Sequence, residues 1–197
     1  MATVVTCLTS CGERDGLSSI SGDYSVVSLL APHSLERVPM QVAINFRCPG
    51  CYKFEPAIET LRARYGNRLV IDVIAVTTSG STGLPERFYL LSKHTGKGDL
   101  ARSALYKAYF EQKLDIDSPM TIRHLAHEIG LDSSSLAEIG SPDLIQQQQR
   151  IDAEAHIFAL YTPGVLIDRQ LLVKPDPAAV AVLVDELLTH HKSISTP

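Results

Sequence analysis

The spacing of hydrophobic residues predicts a strand, a helix and a second strand in the first half of the chain. Residues 41–46 are mostly apolar, as in a strand that is covered on both faces of a sheet. Residues 49–65 place apolar side chains at helical spacing, with polar ones mostly on the opposite face. Residues 69–76 form an apolar run interrupted by Asp72 alone, which is typical of a buried parallel strand. This order predicts one βαβ unit.

The second half of the chain predicts a helical block, a hairpin and a final helix. Helical patterning dominates residues 85–160. Residues 164–167 and 170–173 have the character of two short strands joined by a tight turn. An amphipathic helix follows that hairpin. With a short edge strand within residues 24–30, the predicted order is β, β, α, β, helical block, β, β, α, which is an α/β fold.

Composition narrows the possible functions. The chain has 197 residues, is 45% hydrophobic and carries a net charge of -4, so it can bury a substantial core, either as one compact domain or as a domain with a large insertion. It has no long basic block, no tryptophan and only 6% aromatic residues, which argues against binding nucleic acid. No apolar run reaches the length of about 18 residues that a membrane-spanning helix requires.

The candidate chemistry lies in Cys48-Pro49-Gly50-Cys51, where the first predicted central strand passes into the helix. A helix leaves its first N–H groups unpaired and carries partial positive charge there, so a sulfur at the cap position is stabilised as thiolate. Proline suits the first helical position. The thiolate is the attacking species in disulfide exchange, and Arg47 adds a nearby cation that acts in the same direction.

The second cysteine of the motif is predicted to be more buried and less ionised than the first. Cys51 lies one turn into the helix, where it can close a disulfide with Cys48 and release a mixed-disulfide partner. The same spacing also occurs in zinc sites. A zinc site is the weaker interpretation because the chain has no second C-x-x-C, and its other cysteines are Cys7 and Cys11.

The motif and its neighbours resemble the active-site segment of the DsbA family of thioredoxin-like proteins. Residues 46–55 read Phe-x-Cys-Pro-Gly-Cys-Tyr-x-Phe-Glu, and the helical block follows the next strand, as the family's insertion does. Thr162-Pro163, ahead of the predicted hairpin, resembles the family's cis-proline loop.

This resemblance implies a domain organisation and a fold. Residues 24–76 and 162–197 would form a thioredoxin-like core, and residues 77–161 an all-helical insertion. Residues 1–23 would be a flexible leader or tether.

The resemblance also implies a thiol-disulfide oxidoreductase acting on cysteine-containing substrate proteins. Cys48 would attack, Cys51 would resolve, and Thr162 and Pro163 would dock the substrate backbone. The Cys48–Cys51 disulfide would serve in place of a metal or organic cofactor. A redox partner would reset the pair, and a quinone-linked membrane protein is one candidate.

Two departures from the family pattern leave the direction of electron flow open among oxidation, reduction and isomerisation. The buried acid that such proteins place six residues before the first cysteine is replaced by Val42. The histidine that DsbA proteins often carry before the second cysteine is replaced by Gly50. Glu55 lies nearby in sequence but one helical turn further on, so no role is assigned to it.

Two alternative functions use the same fold. The first is a metal-handling module in which Cys48 and Cys51 bind a soft ion such as Cu(I), although no further ligand is placed beside the pair. The second is a cytosolic enzyme acting on small thiol conjugates, although such relatives usually lack one cysteine of the pair.

The N-terminus supports three interpretations, the weakest of which is a second redox pair formed by Cys7 and Cys11. Residues 8–12, Leu-Thr-Ser-Cys-Gly, resemble a bacterial lipobox in which Cys11 would be lipidated, and this favours a periplasmic, lipid-anchored protein. The positively charged start of a signal peptide is missing, so a cytosolic tail with incidental cysteines stays open.

Overall fold

A mixed five-stranded β-sheet forms the centre of the molecule. The computed structural model describes residues 24–26, 37–156 and 161–194. The strands are β1 (Tyr24–Val26), β2 (Val38–Ile44), β3 (Leu69–Ala75), β4 (Gly164–Ile167) and β5 (Leu171–Val173). The helices are α1 (Pro49–Tyr65), α2 (Leu84–His94), α3 (Gly98–Tyr106), α4 (Pro119–Glu128), α5 (Ser133–Ala137), α6 (Pro142–Ala155) and α7 (Pro177–Ile194).

The strands lie in the order β1-β5-β4-β2-β3. β2 pairs in parallel with β3 and antiparallel with β4, so the predicted βαβ unit and the central place of β2 are confirmed. β1 is an edge strand, also as predicted. β3 is parallel, as predicted, but the prediction that it is a buried strand is wrong for part of its length, because it forms the opposite edge of the sheet. Its Val70 is 42% exposed, whereas its last three residues are buried.

Both faces of the sheet are covered. The larger core joins one face to α1, α7 and the helices of the block. On the opposite face, Ala43, Ile74 and Leu166 pack with Ala155 of α6. The pleat sends neighbouring residues to opposite faces, so a central strand with apolar residues at successive positions needs helices on both sides.

Helix α1 begins and ends where the sequence predicts. Gly66 ends it with φ of 53°, a conformation that glycine adopts without a steric penalty. The buried face includes Phe54, Ile58 and Leu61. The Tyr65 hydroxyl donates a hydrogen bond of 2.9 Å to the backbone carbonyl of Ala181, so it ties the end of α1 to α7.

The helical block lies between β3 and β4, as predicted, and consists of α2 to α6. Ser141 caps α6 by accepting a hydrogen bond of 3.2 Å from the Leu144 N–H. The sequence pattern missed the short helix α5 and the wide π-type turn at Lys107–Glu111 that continues α3. The domain boundaries at residues 77 and 161 stay a prediction. Within the described residues, no helix is both long and apolar enough to cross a membrane.

Candidate active site

Cys48 occupies the N-cap position of α1, as the sequence predicts. Its φ and ψ of -82° and 115° are extended, and Pro49 takes the first helical position. The Cys48 N–H donates to the Asn45 carbonyl at 3.1 Å, and its own carbonyl accepts from the Tyr52 N–H at 3.2 Å. The strand-to-helix corner is therefore closed by backbone hydrogen bonds, which leave the Cys48 side chain partly open to solvent.

The environment of Cys48 favours its thiolate. Partial burial raises the pKa of this thiol, but hydrogen bonds from the Thr162 side chain and from Cys51 and Gly50 outweigh that effect. The net result is a pKa below the ordinary value of 9.0. A lowered pKa increases the fraction of the nucleophilic form at neutral pH.

Cys51 has the opposite environment. It is 1% exposed, and its sulfur accepts a long hydrogen bond of 3.5 Å from the Asn45 N–H. Burial, together with the neighbouring Cys48 charge, raises the pKa of Cys51 to about 12. Both residues are free thiols. The difference in burial follows the sequence prediction and makes the pair chemically asymmetric.

The loop before β4 lies directly against the motif. The Thr162–Pro163 peptide bond is cis, and the Cys48 thiol donates to the Thr162 carbonyl oxygen at 3.1 Å. A Cβ placed on Gly50 would lie 3.3 Å from Cδ of Pro163. The structure thus brings Cys48, Gly50, Thr162 and Pro163 together, as the sequence predicts.

The Arg47 side chain contacts two carboxylates of the helical block. Its guanidinium forms an ion pair with Asp117 and lies 3.8 Å from Glu86. The backbone N–H of Arg47 donates to the Asn45 side-chain oxygen at 2.8 Å. The role predicted for Arg47 in lowering the pKa of Cys48 stays a prediction, and the structure adds two carboxylates that oppose it.

Other charged and polar groups near the motif were missed from the sequence. Arg102 is 2% exposed and pairs with Glu55 and Asp99. Its pKa is raised, since the charges of Glu55 and other anions outweigh the effect of burial. The buried Tyr106 hydroxyl has no hydrogen-bond partner among the described residues, and burial and then the charge of Cys51 raise its pKa. Glu55 therefore belongs to an ion-pair group beside the motif, centred on the buried Arg102.

An aromatic cluster connects the motif helix to the helical block. Its members are Phe46, Tyr52, Tyr89, Tyr106, Tyr109 and Phe110. Tyr52 stacks on Phe110 with ring centroids 4.7 Å apart, and its hydroxyl donates to Glu111 at 2.8 Å. The π-type turn supplies both partners, so this turn positions the insertion beside the two cysteines.

No metal centre is formed by the part of the chain that the structure describes, in that no three His, Cys, Asp or Glu side chains group together there. Cys7 and Cys11, and with them the predicted lipidation site, lie outside the described residues.

A thioredoxin-like core that carries a C-x-x-C motif at the start of α1 and a helical block between β3 and β4 defines the DsbA-like fold. Among solved structures with this fold, a variant of Pseudomonas aeruginosa DsbA is 15% identical, with a TM-score of 0.74 over 89% of this chain and 98% of that one. The oxidoreductase NmDsbA1 from N. meningitidis is 16% identical, with a TM-score of 0.69 over 91% and 100% of the two chains.

A third structure, the DsbA disulfide interchange protein from Klebsiella pneumoniae, is 16% identical, with a TM-score of 0.64 over 86% and 95% of the two chains. No family model matches the sequence, and no curated protein matches it. The fold predicted from the sequence is confirmed. The similarity between this chain and the three solved structures is a similarity of fold.

Proposed function

We propose that this protein is a thiol-disulfide oxidoreductase that exchanges disulfides with cysteine-containing proteins through Cys48 and Cys51. The observation that carries the proposal is the asymmetry of the pair. A partly exposed thiol of lowered pKa lies one helical turn from a buried thiol whose pKa is about 12. Two solved structures of similar fold, one described as an oxidoreductase and the other as a disulfide interchange protein, support this proposal.

The asymmetry assigns an order to the steps. In the oxidising direction, a substrate thiolate attacks Sγ of Cys48 in the intramolecular disulfide, and Cys51 leaves and takes up a proton. A second substrate thiolate then attacks the substrate sulfur of the mixed disulfide and releases Cys48 as thiolate. The substrate gains a disulfide, and the protein keeps the two electrons. The reducing direction runs through the same mixed disulfide in reverse.

Thr162 and Pro163 are proposed to dock the substrate backbone. Their loop contacts Cys48 at the Thr162 carbonyl, which is 3.1 Å from the sulfur. Tyr161, directly before them, is 87% exposed, so a peptide can approach this loop from solvent. A substrate held there would present its sulfur to Cys48 and not to the buried Cys51.

The redox cycle also needs a partner and a compartment. The two thiols carry the electrons without an organic cofactor or a metal, and a separate redox partner, such as a quinone-linked membrane protein, would reset them. An extracytoplasmic, periplasmic site of action fits a DsbA-like fold. A cytosolic site and the Cu(I)-handling alternative are separate hypotheses, and metal analysis of reduced protein tests the second.

The test compares two single variants. Cys48→Ser should abolish both insulin reduction and disulfide transfer to a reduced substrate protein. Cys51→Ser should lose turnover but accumulate a mixed disulfide through Cys48, visible by non-reducing electrophoresis and mass spectrometry. Activity retained in Cys48→Ser would refute the assignment, as would a mixed disulfide that forms equally well through Cys51 when Cys48 is replaced.

A further inference from the structure

Arg47, the residue before the attacking cysteine, is held between two acidic side chains from the helical block. Glu86 comes from α2 and is completely buried, and Asp117 comes from the segment before α4. The Arg47 and Asp117 side chains are 21% and 19% exposed. An arginine is always charged at neutral pH, so the charge balance at this corner depends on the two carboxylates.

The surroundings of Asp117 stabilise its charged form. Its Oδ1 atom accepts hydrogen bonds from the Thr82 N–H at 3.0 Å and from the Thr82 hydroxyl at 2.6 Å, and its Oδ2 atom faces Arg47. Burial raises the pKa of Asp117, but the hydrogen bonds from Thr82 and the Arg47 charge outweigh it and lower the pKa overall.

Glu86 has a different environment. One of its oxygens accepts a hydrogen bond of 2.9 Å from the Ser81 hydroxyl, and the other has no hydrogen-bond partner within the described part of the chain. Burial raises the pKa of Glu86. Asp117 is therefore the stronger of the two counter-charges to Arg47.

We propose that Asp117, with Glu86 behind it, offsets the charge of Arg47 and thereby limits the oxidising strength of the Cys48–Cys51 pair. This inference rests on the proposed function, because it concerns the potential of the same cysteines. Asp117 is a positioning residue that acts on Cys48 through the charge beside it. Opposite charges in contact largely cancel each other's potential at a third group, so Arg47 stabilises the Cys48 thiolate less than an unpaired cation would.

The effect of the Asp117 charge on the oxidising strength of the cysteine pair has a direction that can be measured. A cation near a thiolate stabilises it, and stabilising the thiolate stabilises the reduced protein, which makes the pair more oxidising. Within the described residues, the Thr162 loop faces Cys48, as does Tyr106 of α3, whose pKa the Cys48 charge helps to raise. Those that face Arg47 are Asp117 and Glu86. Among the described residues, removing the Asp117 charge therefore leaves Glu86 as the carboxylate that opposes Arg47.

The experiment uses Asp117→Asn, which retains the oxygen that accepts from Thr82 and replaces the one that faces Arg47. In this variant the pKa of Cys48, followed by the ultraviolet absorbance of the thiolate, should fall by about half a unit, a threefold change. The equilibrium with glutathione, in which reduced protein and GSSG give the protein disulfide and two GSH, should shift by the same factor. A threefold change in this equilibrium constant corresponds to a change of about 14 mV in the reduction potential of the Cys48–Cys51 pair.

Two further variants complete the test. Arg47→Gln should raise the pKa of Cys48, and the double variant Arg47→Gln/Asp117→Asn should return it close to the wild-type value. Asp185→Asn is the matched control, since it removes the carboxylate that pairs with Arg64 at 2.5 Å. Arg64 lies sixteen residues after Cys48, about 24 Å along α1, so this control should leave the pKa of Cys48 unchanged.

The inference would be overturned if the pKa of Cys48 did not change in Asp117→Asn. It would also be overturned if Arg47→Gln/Asp117→Asn showed the same fall in the Cys48 pKa as Asp117→Asn. The proposed function has its own test, because Cys48→Ser must abolish exchange whatever Asp117 does. A protein that exchanges disulfides through Cys48 with no response to Asp117 would refute this inference alone.

Discussion

The Cys48 sulfur lies 3.1 Å from the carbonyl oxygen of Thr162, although 114 positions separate the two residues in the chain. This contact joins the first half of the chain to the second half at the site proposed for disulfide exchange. It also places the side chain of Thr162 where it lowers the pKa of Cys48.

Replacing the hydroxyl of Thr162 should therefore make Cys48 less acidic. In Thr162→Val the hydrogen bond to the thiolate is lost, and a bond to a charged group of this kind corresponds to about one pKa unit. Titration of the thiolate absorbance measures the shift. Thr60→Val is a suitable control, because Thr60 bonds to the Pro56 carbonyl of the same helix and is exposed. A pKa that stays at the wild-type value in Thr162→Val would contradict this assignment.

Adding a histidine at Gly50 should make the pair more oxidising. The imidazolium would stabilise the neighbouring thiolate, so the equilibrium constant with glutathione should shift about tenfold toward the reduced protein, that is, by one pKa unit. Gly50→Ala separates this charge effect from sterics, because its Cβ meets Pro163 at 3.3 Å without adding charge. Equal shifts in the two variants would show that crowding, not charge, controls the potential.

The contribution of the two thiols to the stability of the reduced protein should pass through a maximum near pH 9. The pKa of Cys48 is lowered from 9.0, so between its folded value and pH 9 the unfolded chain binds more protons there and stability rises with pH. The pKa of Cys51 is raised from 9.0 to about 12, so between these values the folded protein keeps a proton that the unfolded chain loses, and stability falls.

Denaturant unfolding across this pH range measures the effect. The disulfide form of the same chain is the control, because it has neither thiol to titrate. A difference in unfolding free energy between reduced and oxidised protein that does not vary with pH would disprove the prediction.

Breaking the Arg102–Glu55 pair should destabilise the protein more than replacing both of its members. Arg102→Leu leaves Glu55 without its cation. Breaking a fully buried pair typically costs about 3–5 kcal/mol, and because the Glu55 side chain is 21% exposed, we expect a loss near the lower end of that range. Arg102→Leu/Glu55→Leu should recover much of that loss, because no unpaired charge is left from the pair. Denaturant unfolding of the wild type, Arg102→Leu and the double variant provides the comparison. A double variant that is less stable than Arg102→Leu would rule out this account.

The sequence predicted well those features that depend on neighbouring residues. Helix α1 was bounded correctly because a proline begins it and Gly66 ends it with a positive φ. Strand β4 was bounded correctly because a tight turn follows it, where Asp168 and Arg169 both adopt positive φ. The motif was assigned to a helix start for the same local reasons.

The features that the sequence did not predict arise from contacts between distant segments. The place of β3 at the sheet edge depends on where the chain returns after the helical block. Arg102 reads as an ordinary polar residue of a helix until Glu55, 47 positions away, lies against it. The partner of Arg47 is equally remote, because Asp117 is 70 positions further along the chain.

The register between β2 and β4 has a consequence for how the active site is maintained. Ala43 lies opposite Gly164 in this antiparallel pair, so Cys48 follows one end of the ladder and Thr162 precedes the other strand at the same end. Backbone hydrogen bonds, which any residue except proline can make, therefore set the distance between the reactive sulfur and the loop facing it. Side chains around the site can differ without changing the backbone spacing between Cys48 and Thr162, which fits a fold that is shared at only 15% sequence identity.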